Sequence, residues 1–142
     1  MIAGQIADIL AQNIKPDAQM LEFIHINKTA KMFQASAVLG AIAGGANEKQ
    51  RQILSEFGLN LGLAFQIADD ILDVVSDSKT LGKTVGKDVK QGKLTYPAVF
   101  GLEESRKKAQ QIADKAAGIL EPFGSRAAEL KELVLALVDR TR

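Results

Sequence analysis

The chain has 142 residues, of which 46% are hydrophobic and 25% charged, and its formal net charge is +1. That length suffices for the core of one ordinary domain, and the balanced charge argues against nucleic acid or an anionic membrane as the main partner. Because there is no cysteine, disulfides and thiolate metal sites are excluded. The sequence has no apolar run of about 18 residues and no basic segment at its start, so we expect no membrane insertion, no signal peptide and a cytoplasmic location.

Helical periodicity extends along the chain and predicts an all-α helical bundle, either a single domain or a fragment of one. Asp17 and Asn47 are predicted N-caps, and the Gly44–Gly45 pair is predicted to end the helix between them. The polar, glycine-bearing stretch 77–93 is predicted to be a loop. Helices are predicted over residues 2–14, 17–44, 47–76, from about 97, 105–120 and 125–140.

The segment 61–75, LGLAFQIADDILDVV, carries a narrow polar stripe on an otherwise apolar helix. Its members share one helical face because their spacing is i, i+3, i+4 and i+7: Gln66, Asp69, Asp70 and Asp73. A helix that is apolar almost all round is buried, and clustered buried carboxylates stay ionised only beside a cation. Since Mg²⁺ binds one or two carboxylates with water and substrate phosphates, the stripe predicts a Mg²⁺–diphosphate site. An ordinary solvated face is the alternative.

Lysines occur at two places that suit an anion. Lys28 lies on an apolar helix face, where a lysine either extends to solvent or meets an anion, and Thr29 beside it adds a hydroxyl donor. The stretch 77–93 repeats a Gly-Lys step at Lys83, Lys87 and Lys93, without the spacing of a Walker loop. Because this stretch directly follows the carboxylate helix, we expect its lysines to close over a bound diphosphate. A mobile polar loop is the alternative.

The single histidine, His25, has no histidine or carboxylate near it in the sequence at metal-ligand spacing. We therefore expect a structural or surface role for it. No Ser/His/Asp or Cys/His set can be assembled, so the sequence does not support hydrolysis through a covalent nucleophile.

Several segments, in order along the chain, resemble motifs of the trans-isoprenyl diphosphate synthases of the farnesyl and geranylgeranyl type. Gly4-Gln5 with Asp8 resembles the GQxxD segment, and HINKTA resembles the KT[AG] segment. FQIADDILD resembles the second aspartate-rich motif, and GKTVGKDVKQGKLTYP resembles the loop that follows it. The resemblance implies the C-terminal portion of the isoprenoid synthase fold.

The resemblance also implies a prenyltransferase that condenses isopentenyl diphosphate with an allylic diphosphate after Mg²⁺-assisted ionisation of the allylic partner. The residues implied as metal ligands or their support are Asp69, Asp70 and Asp73. The residues implied to hold the allylic diphosphate are Lys28, Lys83 and Lys93. The implied catalytic set is Lys28, Thr29, Gln66, Asp69 and Lys83.

The sequence also departs from the family pattern. The first aspartate-rich motif is missing, as are the upstream lysine and arginines that bind isopentenyl diphosphate. We therefore expect a fragment or a truncated homologue that is inactive alone, and a homodimer for the full-length enzyme. The alternatives are a non-catalytic regulatory subunit or a helical interaction protein that pairs with a full synthase.

Overall fold

The computed structural model describes residues 1–12, 15, 17–79 and 93–139, and for residues 76–79 it describes the backbone only. All regular structure within these ranges is helical, which confirms the all-α prediction. The elements are α1 Ile2–Leu10, α2 Ala18–His25, a π-helical turn Ile26–Ala30, α3 Lys31–Ala43, α4 Glu48–Lys79, α5 Tyr96–Phe100, α6 Leu102–Ile119, a 3₁₀ segment Glu121–Ala127 and α7 Ala128–Asp139. None of these helices combines the length and apolarity needed to cross a bilayer.

The helix ends follow their local sequence signals. A side-chain oxygen of Asp17 accepts two backbone N–H bonds of α2, at 2.8 and 3.0 Å, which confirms Asp17 as an N-cap. Asn47 and Gln50 bond reciprocally to each other's backbone N–H, both at 2.9 Å, which is a capping box at the start of α4. After α3, Gly45 has φ 71°, a conformation that glycine adopts without steric cost.

The helix predicted over residues 17–44 contains an irregular turn. α2, the π-helical turn and α3 follow one another without a break, and the turn includes Lys28 and Thr29. Single π-turns within α-helices often occur at functional sites. The sequence predicted one uninterrupted helix here because apolar periodicity does not reveal a single widened turn.

Glycines bring the central helices unusually close together. A Cβ on Gly62 of α4 would lie 2.6 Å from Cα of Ala30, and one on Gly58 would lie 2.8 Å from the carbonyl oxygen of Phe33. α4 therefore packs backbone to backbone against the π-turn and α3. The core around α4 continues into α6 and α7 through Phe57, Leu61, Ala64, Ile67, Ile71, Ala109, Ala113, Ala116, Leu120, Val134 and Val138.

α1 packs on the other side of the π-turn. A Cβ on Gly4 would lie 2.2 Å from the backbone N of Lys28, so only glycine permits this approach. A second, smaller core includes Ala11, Leu21, Ile24 and Leu94. This core brings the segment before α5 next to α2, although some 70 residues separate Leu94 from Ile24 in the chain.

Three predicted boundaries were displaced. α1 ends at Leu10 rather than near residue 14, and the helix predicted over 105–120 already begins at Leu102. The last α-helix begins at Ala128 rather than near 125, and residues 125–127 belong to the 3₁₀ segment before it. Within that segment Gly124 has φ 58° and ψ −137°, which is not a helical conformation. The predicted loop 77–93 is helical in its first three residues, while residues 80–92 lie outside the described part.

Candidate functional site

A polar cavity of about 150 Å³ opens where α1, α2 with its π-turn, α4 and the segment before α5 meet. The residues that line it are Asp8, Ile24, His25, Lys28, Gln66, Asp69, Asp70, Lys93, Leu94 and Thr95. The structure thus brings together five predicted site residues: Lys28, Gln66, Asp69, Asp70 and Lys93. A groove of about 630 Å³ elsewhere has only one charged residue in its lining, so the convergence of charges rather than volume marks the site.

Lys28 is held by a carboxylate from α1. Its Nζ lies 2.6 Å from Oδ2 of Asp8, whose side chain is 7% exposed while that of Lys28 is 30% exposed. Lys28 therefore meets an anion rather than simply extending into solvent. In the sequence, Asp8 was recognised only as part of a motif and was given no role. The sequence signal for Asp8 is its position one helical turn after Gly4, on the same face of α1, and the structure shows that both residues are buried.

Thr29 and Gln66 connect the π-turn to α4. The Thr29 hydroxyl donates to Oε1 of Gln66 at 2.7 Å, and Nε2 of Gln66 donates to Oδ1 of Asp70 at 3.3 Å. The second bond fixes the orientation of the Gln66 amide, because a carboxylate only accepts and so takes the Nε2 end, which leaves Oε1 to accept from Thr29. The two residues are thereby joined: Gln66 bonds to Asp70 and lines the cavity, whereas Thr29 reaches Asp70 only through Gln66 and is not among the lining residues.

Asp70 is the buried member of the acidic stripe, at 4% exposure. Its Oδ2 accepts from the backbone N–H of Tyr96 at 2.8 Å and lies 3.3 Å from Nε2 of His25. His25 is buried as well, which confirms the structural alternative for this residue rather than the surface one. The sequence did not predict this pair, because His25 and Asp70 lie on different helices and are far apart along the chain.

The other two stripe carboxylates differ from Asp70 and from each other. Asp69 is exposed and lines the cavity, whereas Asp73 is partly buried and is not among the lining residues. Oδ2 of Asp73 is shielded from solvent, and no donor from the described residues bonds to it. An acceptor in that state costs about 1–3 kcal/mol, which a bound cation would remove. A uniformly solvated face does not describe this stripe.

The fit to Mg²⁺ depends on two carboxylates. Within the described ranges, no group of three or more acidic or histidine side chains could hold a metal unaided. Mg²⁺ does not require such a group, because it is commonly bound by one or two carboxylates with water and substrate phosphates. Asp69 and Asp73 lie one helical turn apart and could supply these carboxylates. Both oxygens of Asp70 accept hydrogen bonds from the protein. Lys83 lies outside the described residues.

Tyr96 packs against His25 but is not among the residues that line the cavity. Its ring stacks on the imidazole, with centroids 5.3 Å apart and planes inclined by 27°. Burial raises the pKa of the Tyr96 hydroxyl above its ordinary value of 10.0, and the negative charges of Glu22 and Asp70 raise it further. The side chain therefore stays neutral and acts as a packing surface at physiological pH.

The fold and the cavity together define a class: an all-α protein in which lysines from two separate segments line one cavity with a carboxylate-bearing helix, an arrangement that suits a metal–phosphate group. Residues 1–134 match the polyprenyl synthetase family, and the chain belongs to that family.

Individual relatives agree with this assignment. The chain is 48% identical over 144 aligned positions to geranylgeranyl pyrophosphate synthase 11, chloroplastic, of Arabidopsis thaliana, covering 99% of this chain and 40% of that protein. It is 42% identical to the dimethylallyltranstransferase of Fischerella ambigua (strain UTEX 1903), covering 99% and 41%. The chain thus spans about two fifths of the length of these relatives.

A solved structure of a geranyltransferase from Helicobacter pylori, complexed with magnesium and isoprenyl diphosphate, is similar to this chain throughout. The TM-score is 0.77 at 34% identity, over 98% of this chain and 46% of that one.

Proposed function

We propose that the protein containing this chain is a short-chain trans-prenyltransferase of the farnesyl or geranylgeranyl diphosphate synthase type, condensing isopentenyl diphosphate with an allylic diphosphate. The observation that carries the proposal is the polar cavity in which Lys28 and Lys93 accompany Asp69 and Asp70. A diphosphate needs positive charge from more than one side, and this cavity offers two lysines and a carboxylate face for a divalent cation. Membership in the polyprenyl synthetase family supports it.

The residues divide the chemistry between them. Lys28, Lys93 and, from outside the described part, Lys83 neutralise charge on the allylic diphosphate. Asp69 and Asp73 would hold Mg²⁺, which when bound supplies Lewis-acid stabilisation of the departing diphosphate. No covalent nucleophile is required, because the reaction depends on stabilising developing negative charge.

Three residues order this arrangement. The Thr29–Gln66 bond holds the Thr29 side chain against the carboxylate helix, and we propose that both residues line the space near the reacting carbon. For Asp70, predicted from the sequence among the metal ligands, the bonds to Tyr96 and Gln66 favour a supporting role over direct ligation.

The chain on its own is proposed to be inactive, since the family's first aspartate-rich motif has no counterpart in its sequence. A homodimer of the full-length enzyme and the absence of nucleic-acid partners remain predictions. The cytoplasmic location also stays a prediction, and the Arabidopsis relative is named as chloroplastic.

Calorimetric titration of the 142-residue chain with inorganic pyrophosphate, with and without MgCl₂, tests the half-site. We expect binding that requires Mg²⁺ and that Lys28→Ala or Asp69→Ala weakens about tenfold or more. The matched control is Lys31→Ala, an exposed lysine three residues away that bonds to Asn27 at 2.7 Å. Binding that ignores Mg²⁺, or an equal loss in Lys31→Ala, would refute the proposal.

Kinetics in the whole protein test the catalytic assignment. Asp69→Ala should lower turnover about 10²-fold or more, as expected for a lost electrostatic contact to the transition state. A double-mutant cycle of Lys28 and Lys83 should be non-additive if both bind one anion, and strict additivity would exclude a shared diphosphate. A regulatory subunit, the alternative function, would show no Mg²⁺-dependent pyrophosphate binding at all.

A further inference from the structure

We infer that His25 is a positioning residue: it holds the Asp70 carboxylate, Asp70 holds the backbone of Tyr96, and these contacts fix Lys93 at the cavity. The placement of Lys93 as a diphosphate ligand rests on the proposed function. The contacts that hold it there do not depend on that function, so the two can be tested separately.

The three residues form a closed set of contacts. Oδ2 of Asp70 lies 3.3 Å from Nε2 of His25 and 2.8 Å from the backbone N of Tyr96. The Tyr96 ring stacks on the imidazole at 5.3 Å. Since the side chains of His25 and Asp70 are only 3% and 5% exposed, water competes little for these bonds, and a low local dielectric strengthens them.

The surroundings of the His25 imidazole favour one tautomer. Nδ1 of His25 is buried, and none of the described residues bonds to it. The tautomer with its proton on Nε2 leaves no buried donor unpaired, and it presents that donor to Asp70. His25 therefore contributes a polar contact of 3.3 Å to the Asp70 carboxylate in addition to its packing surface.

Asp70 receives donors from three parts of the fold. His25 comes from α2, Gln66 from α4 itself and the Tyr96 N–H from the start of α5. A carboxylate has acceptor sites for all three, whereas an asparagine oxygen does not. The charge on this buried residue is thus used to join the segment before α5 to the carboxylate helix.

Lys93 lies three residues before Tyr96, in a segment of the chain that is not helical. Residues 93–95 have no regular secondary structure, and Tyr96 begins α5 directly after them. Leu94 and Thr95 are buried, so the path of the chain between Lys93 and Tyr96 is short and packed. Releasing the Tyr96 N–H from Asp70 would let the segment move and would shift Lys93 relative to Asp69.

Hydrogen exchange of the Tyr96 amide in the 142-residue chain tests the anchor. His25→Phe keeps a ring for stacking and removes the donor, whereas His25→Gln keeps a donor and removes the ring. We expect exchange about tenfold faster in His25→Phe, with a smaller change in His25→Gln, because the polar contact to the Asp70 carboxylate is lost in the first alone. Asp70→Asn, in which the side chain is nearly equal in volume, should also accelerate exchange of the Tyr96 amide. This variant provides the test if His25→Phe folds poorly. Unchanged Tyr96 protection in these variants would overturn the inference.

Mg²⁺-dependent binding of inorganic pyrophosphate tests whether His25 affects ligand binding by positioning Lys93. His25→Phe should weaken binding about tenfold in the natural chain and should have little further effect in a Lys93→Ala background. A purely structural role predicts equal weakening in both backgrounds, and that result would overturn the assignment. If the natural chain binds no pyrophosphate, the proposed function fails, while the exchange experiment still decides whether His25 anchors Tyr96.

Discussion

Replacing Gly4 with alanine should loosen the contact between α1 and the π-turn and so release Lys28. An added Cβ would meet three backbone atoms, at 2.2 Å from N of Lys28, 2.5 Å from C of Asn27 and 2.6 Å from Cα of Lys28. None of these atoms can rotate away. Because non-bonded contacts have their optimum at about 3.5–4.0 Å, α1 must retreat by about 1 Å or more.

The size of the effect follows from two losses and one gain. Overpacking against backbone costs about 1–3 kcal/mol. Asp8 moves with α1, so its 2.6 Å bond to Lys28 lengthens beyond the hydrogen-bonding range, a loss that the partial exposure of Lys28 reduces. The higher helix propensity of alanine returns about 1 kcal/mol. The expected net loss in the free energy of unfolding is about 2–3 kcal/mol, or about 5–10 °C in Tm for a chain of this length.

Urea and thermal unfolding of the 142-residue chain measure this loss. Gly40→Ala is the matched control, because Gly40 lies within α3, is exposed, and a Cβ added there would meet no atom of the described residues within 4 Å. That variant should be more stable by about 0.5–1 kcal/mol. If Gly4→Ala is as stable as Gly40→Ala, α1 does not pack on the π-turn as described, and the assignment of Asp8 as the holder of Lys28 is wrong.

Three further outcomes are expected. The pKa of Tyr96 is higher in the folded than in the unfolded chain, so the free energy of unfolding should fall as pH rises above about 10, and Tyr96→Phe should reduce that slope. Ultraviolet titration can follow the ionisation directly, because Tyr96 is the only tyrosine and there is no tryptophan. Asn47→Ala should cost about 1 kcal/mol in urea unfolding by removing the cap of α4, and no loss would contradict the capping box. A Thr29→Val and Gln66→Leu cycle should show a coupling of about 0.5–1.5 kcal/mol, whereas additive losses would mean that their 2.7 Å bond contributes nothing.

The amino-acid sequence by itself determined the features that arise within one helix. The caps at Asp17 and Asn47 depend on residues two or three positions away, so local chemistry suffices to predict them. The shared face of Gln66, Asp69, Asp70 and Asp73 follows from 3.6 residues per turn. The ordered motifs also identified the family that the match over residues 1–134 confirmed.

Tertiary structure alone decided what each polar residue does. Periodicity treats the three stripe aspartates alike, yet packing buries Asp70 and leaves Asp69 exposed. The bonds from Lys28 to Asp8 and from Tyr96 to Asp70 join residues 20 and 26 positions apart, and no rule of local spacing predicts such pairs. The first forms because α1 approaches the π-turn through Gly4, and the second because the smaller core packs Leu94 and Tyr96 against α2. A buried polar group must find its partner on whichever neighbouring element the packing supplies.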